Sequence, residues 1–184
     1  LFIQTEETPN PAALKFIPGR VVMESGMMEF TSAESAWRST LVENLFKISG
    51  VSSVFLSGDF ITISKADNTD WTILKPLILG TIMEYFMTYD RVHIQATEDQ
   101  VLQLSSDEDN AIVKEIKELI DTRVRPAVAQ DGGNIMFDRF ENGVVFLKLQ
   151  GACSACPSAT ATLKAGIENM LRHYIPEIQE VQAI

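Results

Sequence analysis

Apolar residues recur at helical spacing in four stretches of the chain and alternate with polar ones in several others. Trp37, Leu41, Leu45 and Ile48 predict a helix over 35–48, closed by Gly50. Leu74, Leu77, Ile78, Ile82 and Phe86 predict a second over 70–87, with Asp70 as its N-cap and Pro76 near its start. Ile112, Ile116, Ile120 and Val124, with Val113 and Leu119 beside them, predict a third over 109–124, ended or kinked by Pro126. Leu163, Ile167, Met170, Leu171 and Tyr174 mark a fourth, running to about Tyr174. Strands are expected over 1–7, over 14–17 before the turn Pro18-Gly19, and over 51–56 and 60–65 as a hairpin around Ser57-Gly58-Asp59. A second hairpin is expected from 135–140 and 144–149, because Asn142-Gly143 favours the tight turn that matches strand twist. Residues 178–184 read as a closing strand.

A polar, acidic stretch interrupts this pattern. Glu98-Asp99 and Asp107-Glu108-Asp109 flank the short apolar run 101–104, and read as a solvated linker. The expected fold class is therefore α/β (α+β), two small domains that are each a small sheet covered by helices. Their bounds are 1–94 and 109–184, with the linker over 95–108. No repeat and no low-complexity tract is present.

Charge then narrows the function. The 184 residues carry 25 acids against 15 bases, a formal net charge of −10. That argues against nucleic acid and anionic membranes as partners. No run of about 18 apolar residues exists to span a bilayer. The chain opens on a strand-like segment with no leader, which favours a bacterial cytoplasm. A mitochondrial matrix after leader cleavage is the alternative.

The chemistry sits in the cysteines. There are only two, Cys153 and Cys156, and two histidines, His93 and His173. Two cysteines in CxxC spacing form no disulfide framework and supply no four-thiolate site from one chain. They lie in Gly151-Ala152-Cys153-Ser154-Ala155-Cys156-Pro157, between a strand and a helix. Pro157 suits a first helical turn, so both sulfurs are expected at a helix N-terminus, where dipole and free N–H groups favour thiolate. Small residues around them let backbone approach a bulky ligand. Three chemistries fit. A thioredoxin-like dithiol oxidoreductase would use the pair for exchange, although the motif comes late in the chain for that fold. Zinc or iron held between chains would make an interaction protein. Zinc within one chain lacks ligands: His173 lies about 25 Å beyond Cys156 along a helix, and His93 is in the other half. Both imidazoles read as surface or packed groups. An iron–sulfur cluster usually takes four cysteinates, which two chains facing each other would provide. No Ser/His/Asp set, carboxylate pair or phosphate-binding glycine loop suggests an enzyme.

The residues also carry a family resemblance. Residues 116–184 resemble the NifU C-terminal domain through Arg125-Pro126, Asp131-Gly132-Gly133, Leu147-Lys148-Leu149-Gln150-Gly151, Cys153-x-x-Cys156-Pro157-Ser158 and Thr162-Leu163-Lys164-x-Gly166-Ile167-Glu168. The first half resembles the Nfu N-terminal domain through Phe2-Ile3-Gln4-Thr5, Thr8-Pro9-Asn10-Pro11 and Leu14-Lys15-Phe16. The resemblance implies a [4Fe–4S] cluster shared between two chains of a homodimer, with Cys153 and Cys156 as ligands. It implies transfer to apo iron–sulfur proteins and exchange with upstream assembly proteins. The sequence departs from the pattern at Asn134, Ala159 and Ala12, none of them a cysteine. Asp131-Gly132-Gly133 and Pro9-Asn10-Pro11 are expected as turns, the first needing positive φ, rather than as a cluster contact and a partner contact. Trp37 and Trp71 are expected in the core.

Overall fold

The computed structural model describes residues 2–95, 111–154 and 157–184. The acidic runs and the apolar segment 101–104 lie outside the described residues, as do Cys156 and the rest of the linker from 96 on.

Five strands form the first sheet: β1 Gln4–Glu7, β2 Ala13–Ile17, β3 Met28–Phe30, β4 Val51–Leu56 and β5 Ile61–Lys65. Their order is β1-β2-β5-β4-β3, every pair antiparallel. Alternation along each strand sends Leu14, Phe16, Phe30, Val54, Leu56, Ile61 and Ile63 into one core with helices α1, Thr40–Phe46, and α2, Trp71–Thr88. The sheet's other face carries a row of mixed chemistry. Cross-strand register aligns Glu6 with Lys15, Lys15 with Thr62, Thr62 with Phe55, and Phe55 with Glu29.

The second unit starts with α3, Ala111–Leu119, passes through one π-helical turn, Ile120–Val124, and continues as α4, Arg125–Gln130. A three-stranded sheet follows, β6 Gly133–Glu141 and β7 Val144–Gly151 antiparallel, then β8 Glu180–Ala183 parallel to β7 after the crossover helix α5, Pro157–Tyr174. Asn142 and Gly143 both have positive φ, as the two-residue hairpin turn requires. Ile116, Ile120, Val128, Ile135, Val145, Leu147, Ile167, Leu171 and Val181 form a second core, separate from the first.

Several expectations need correction. The helix over 35–48 is a 3-10 turn, Ala36–Arg38, broken at Ser39, whose backbone is extended, and then α1. The break turns Trp37 outward, 55% exposed, so it is not core. Trp71 is half-buried against the first core, and its indole N–H donates to Pro11 O at 3.0 Å. Leu77, placed on the buried face of α2, is 53% exposed; α2 is apolar on most sides, so its periodicity does not single out one face. The third helix does not stop at Val124. The π turn ends with Arg125 N–H bonded to Ile120 O, and this wider turn admits Pro126, which has no N–H to give. Strand β3 carries no run long enough to be foreseen. Asp70 caps α2 as expected, accepting Thr72 N–H.

Leu41 and Leu77 therefore separate packing from periodicity. Leu41 is wholly buried, so Leu41→Ala should lower unfolding free energy by about 2–5 kcal/mol. Leu77→Ala should move it by less than about 0.5 kcal/mol. Urea unfolding followed by circular dichroism reads both.

Candidate functional site: the cysteine loop

The loop begins where β7 ends. Gly151 has φ +66, and a Cβ built on it would lie 2.6 Å from Gly132 O, 3.1 Å from Gly133 Cα and 3.1 Å from Phe55 Cδ1. Gly132, at φ +76, turns the chain into β6. The two glycine turns thus sit on each other at the foot of the β6–β7 hairpin, and Ala152 N–H closes them by donating to Gly132 O at 3.2 Å. The turn expected at 131–133 is present, with its positive φ at Gly132.

Cys153 follows. It is 8% exposed and belongs to the second core. Its sulfur lies against Gly133: a Cβ there would be 2.5 Å from Sγ. Ser154 folds back, its N–H and hydroxyl both reaching Gly151 O, and Thr160 Oγ1 of α5 donates to Cys153 O at 3.1 Å. Cys153 thus stands just ahead of the first turn of α5, as the Cys-to-Pro157 spacing implied. Beside it opens a cleft of about 440 Å³, lined by Val128, Asp131, Cys153, Thr162 and Leu163 from this unit and by Pro9 from the other.

Pro9 is there because the two units dock at this loop. Asn10 closes its own turn by accepting Ala12 N–H, and its amide donates to Ala152 O at 3.1 Å. Thr62 Oγ1 donates to Gly132 O at 2.7 Å. Lys15 Nζ donates to Ala129 O and Gln130 O, each at 3.3 Å, at the C-terminal end of α4, where a cation meets the negative end of the helix dipole. Glu6 at 3.5 Å and the Phe60 ring complete the surroundings of this buried ammonium. Gly151 N–H donates to Glu29 Oε1 at 2.8 Å. Burial raises the Glu29 carboxyl above its ordinary value, against the opposing pull of that N–H. The folded chain thus holds this proton to higher pH than the unfolded one. The contribution declines as pH rises through the raised value. Pro9-Asn10-Pro11 is a turn, as expected, and also a contact between the two units. Lys15, Glu29 and Thr62 were not singled out from the sequence. The available signal was a lysine and a threonine alternating with core residues on β2 and β5, which reads as a solvated face until something covers it.

Asn134 is buried and donates to Gln150 Oε1 at 3.0 Å. His93 and His173 are exposed and stack edge-on against Tyr89 and Tyr174, as surface imidazoles. Among the described residues no group of three or more His, Cys, Asp and Glu is placed to hold a metal ion, and no helix is long and apolar enough to cross a membrane.

Both halves match models of scaffold proteins: "Scaffold protein Nfu/NifU N terminal" over residues 3–89 and "NifU-like domain" over residues 116–182. The chain is therefore of the Nfu/NifU scaffold class. The human NFU1 iron-sulfur cluster scaffold homolog, mitochondrial, is 48% identical over all of this chain and 72% of its own length. The protein of the same name from Drosophila ananassae is 44% identical over all of this chain, which spans 64% of that relative. A NifU-like protein of known solution structure from Saccharomyces cerevisiae is similar over 52% of this chain and 87% of its own, with 25% identity and a TM-score of 0.48. The chain belongs to the NFU1 iron–sulfur cluster scaffold family.

The closeness of Gly133 to the thiol is testable. Gly133→Ala should cost about 1–3 kcal/mol in urea unfolding, because Cys153 Sγ and Gln150 O leave no room. Gly80→Ala, in α2 with nothing within 4 Å of the new methyl, should be neutral or stabilise by up to about 1 kcal/mol.

Proposed function

We propose that the chain carries a [4Fe–4S] cluster as cargo, bound by Cys153 and Cys156 of two chains, and passes it to apo iron–sulfur proteins. The observation that carries this reading is the loop itself. A glycine-led CxxC at a helix start, in a chain with only two cysteines, makes half of a four-thiolate site. The membership in a scaffold family supports it. Each chain supplies two thiolates favoured by the start of α5, small residues that admit the cargo, and a cleft beside Cys153. The cargo is held only while two chains meet, which suits release to a recipient. Upstream assembly proteins would be its source. The domain division 1–94 and 109–184, joined by the acidic linker, is part of the same reading. For compartment, the relatives named mitochondrial favour the matrix over the bacterial cytoplasm.

Anaerobic reconstitution with iron and sulfide tests it. About four iron and four sulfide should appear per dimer, together with a shift from monomer to dimer on sizing. Cys153→Ala and Cys156→Ala should each abolish both. Absence of acid-labile sulfide, with a reversible Cys153–Cys156 disulfide instead, would replace this reading by dithiol exchange.

A further inference from the structure

The outer face of the first sheet is polar where it meets the cysteine loop. Lys15, Thr62 and Glu29, three of the five residues in the cross-strand row, each spend their polar atoms on backbone groups of the second unit. Asn10 adds a fourth such contact from the turn beside β2. Lys15 is 8% exposed and Thr62 1%, and both are buried where they bond the second unit. The apolar part of the row is Phe55, wholly buried over Gly151 and next to the buried Phe60 ring. Permanent interfaces are apolar like a core, whereas separable ones within a chain are more polar. This face combines the two, with four polar side chains bonded to main chain around the buried Phe55.

The bonds also fall at particular places. Asn10 holds the carbonyl of Ala152, and Glu29 holds the N–H of Gly151. The N–H at the start of the loop and the carbonyl joined to Cys153 are thereby held, with its sulfur turned onto Gly133 and largely out of solvent. A sulfur in that position is largely buried beside the cleft. Four thiolates around one cargo need each loop turned outward, and Glu29 would bring a further carboxylate close to an anionic centre.

We propose that the outer face of the first sheet is a reversible clamp that holds the cysteine loop closed in the cargo-free chain and leaves it when two loops meet around a cluster. This rests on the cluster-carrying reading for its second half only. The clamp recognises main-chain groups of two glycine turns and one helix end, and needs no particular side chain from them. The first unit is thus a guard of the thiol, matched to this chain's own loop.

The test uses the full apo chain in a Cys156→Ala background, so that alkylation by iodoacetamide under reducing conditions reports Cys153 alone. Asn10→Ala with Thr62→Val removes two clamp bonds and leaves the first core untouched. Alkylation should accelerate roughly 10-fold or more, as expected for two ordinary buried hydrogen bonds. Glu29→Gln, which still accepts Gly151 N–H, should leave it within about 2-fold. In the chain with both cysteines, the same pair of substitutions should hasten cluster loading, and amide exchange at Gly151 should rise on loading. Circular dichroism confirms that the variants fold. Unchanged alkylation in a folded Asn10→Ala, Thr62→Val chain overturns the clamp even if clusters load. Faster alkylation in a chain that never takes up cluster supports the clamp and sinks the cargo reading instead.

Discussion

The close approach of Gly132-Gly133 to Gly151-Cys153 is the constraint on which the loop depends. Strand β6 begins and β7 ends at this point, so the register of the hairpin brings Gly133 opposite Gly151. A side chain on Gly151 would meet the main chain of the facing turn, and one on Gly133 would meet the thiol. With three missing side chains, two backbones stack at a separation no other residue permits. The stacking places Cys153 Sγ against Gly133, and leaves Gly151 N–H, and Gly132 O beside its bond from Ala152 N–H, within reach of the first sheet. Those two groups are what Thr62 and Glu29 engage. One packing condition therefore sets both the thiol's position and the fit between the units.

Much of this was legible beforehand, and the reasons differ from residue to residue. The Asn142-Gly143 turn was clear because its chemistry is local: two positive φ angles leave few alternatives. Asp70 as an N-cap and the strands of the first hairpin were clear for the same reason. The helix start before Pro157 and the CxxC spacing marked the candidate chemistry without any tertiary information. The corrections fall where local rules compete. Ser39 breaks a helix whose apolar spacing was good, because an extended residue there lets Trp37 leave the core while Leu41 and Leu45 stay. Pro126 reads as an end or a kink because the usual helical ladder has no place for it, and the π turn supplies one and lets the helix continue.

The docking face was the least legible part. Alternation on β2 and β5 assigns Lys15 and Thr62 to the side away from α1 and α2, and does so correctly. It cannot say that the side is covered. Burial of a lysine requires partners, and here they are carbonyls contributed more than a hundred positions along the chain. Main-chain partners leave no trace in the composition of either segment. Pairing of this kind is visible only once both turns are in place.

The two interfaces at this loop differ in physical kind, and that difference lets one give way to the other. Each unit keeps a complete apolar core of its own, so parting them does not expose the interior of either. What is lost is the cover over Phe55 and a set of hydrogen bonds that water can replace, each worth a modest net amount. Thiolate–iron bonds are stronger and cannot be replaced by water. Two chains of net charge −10 gain nothing from meeting by general attraction, and the repulsion between them is screened beyond about 10 Å in ordinary salt. On the proposed reading, the balance at the loop is therefore set by the cargo alone. Without it, the cheaper polar contact within one chain wins. With it, two metal–sulfur bonds per chain outweigh the backbone contacts of that chain, and removal of the cargo restores the closed form.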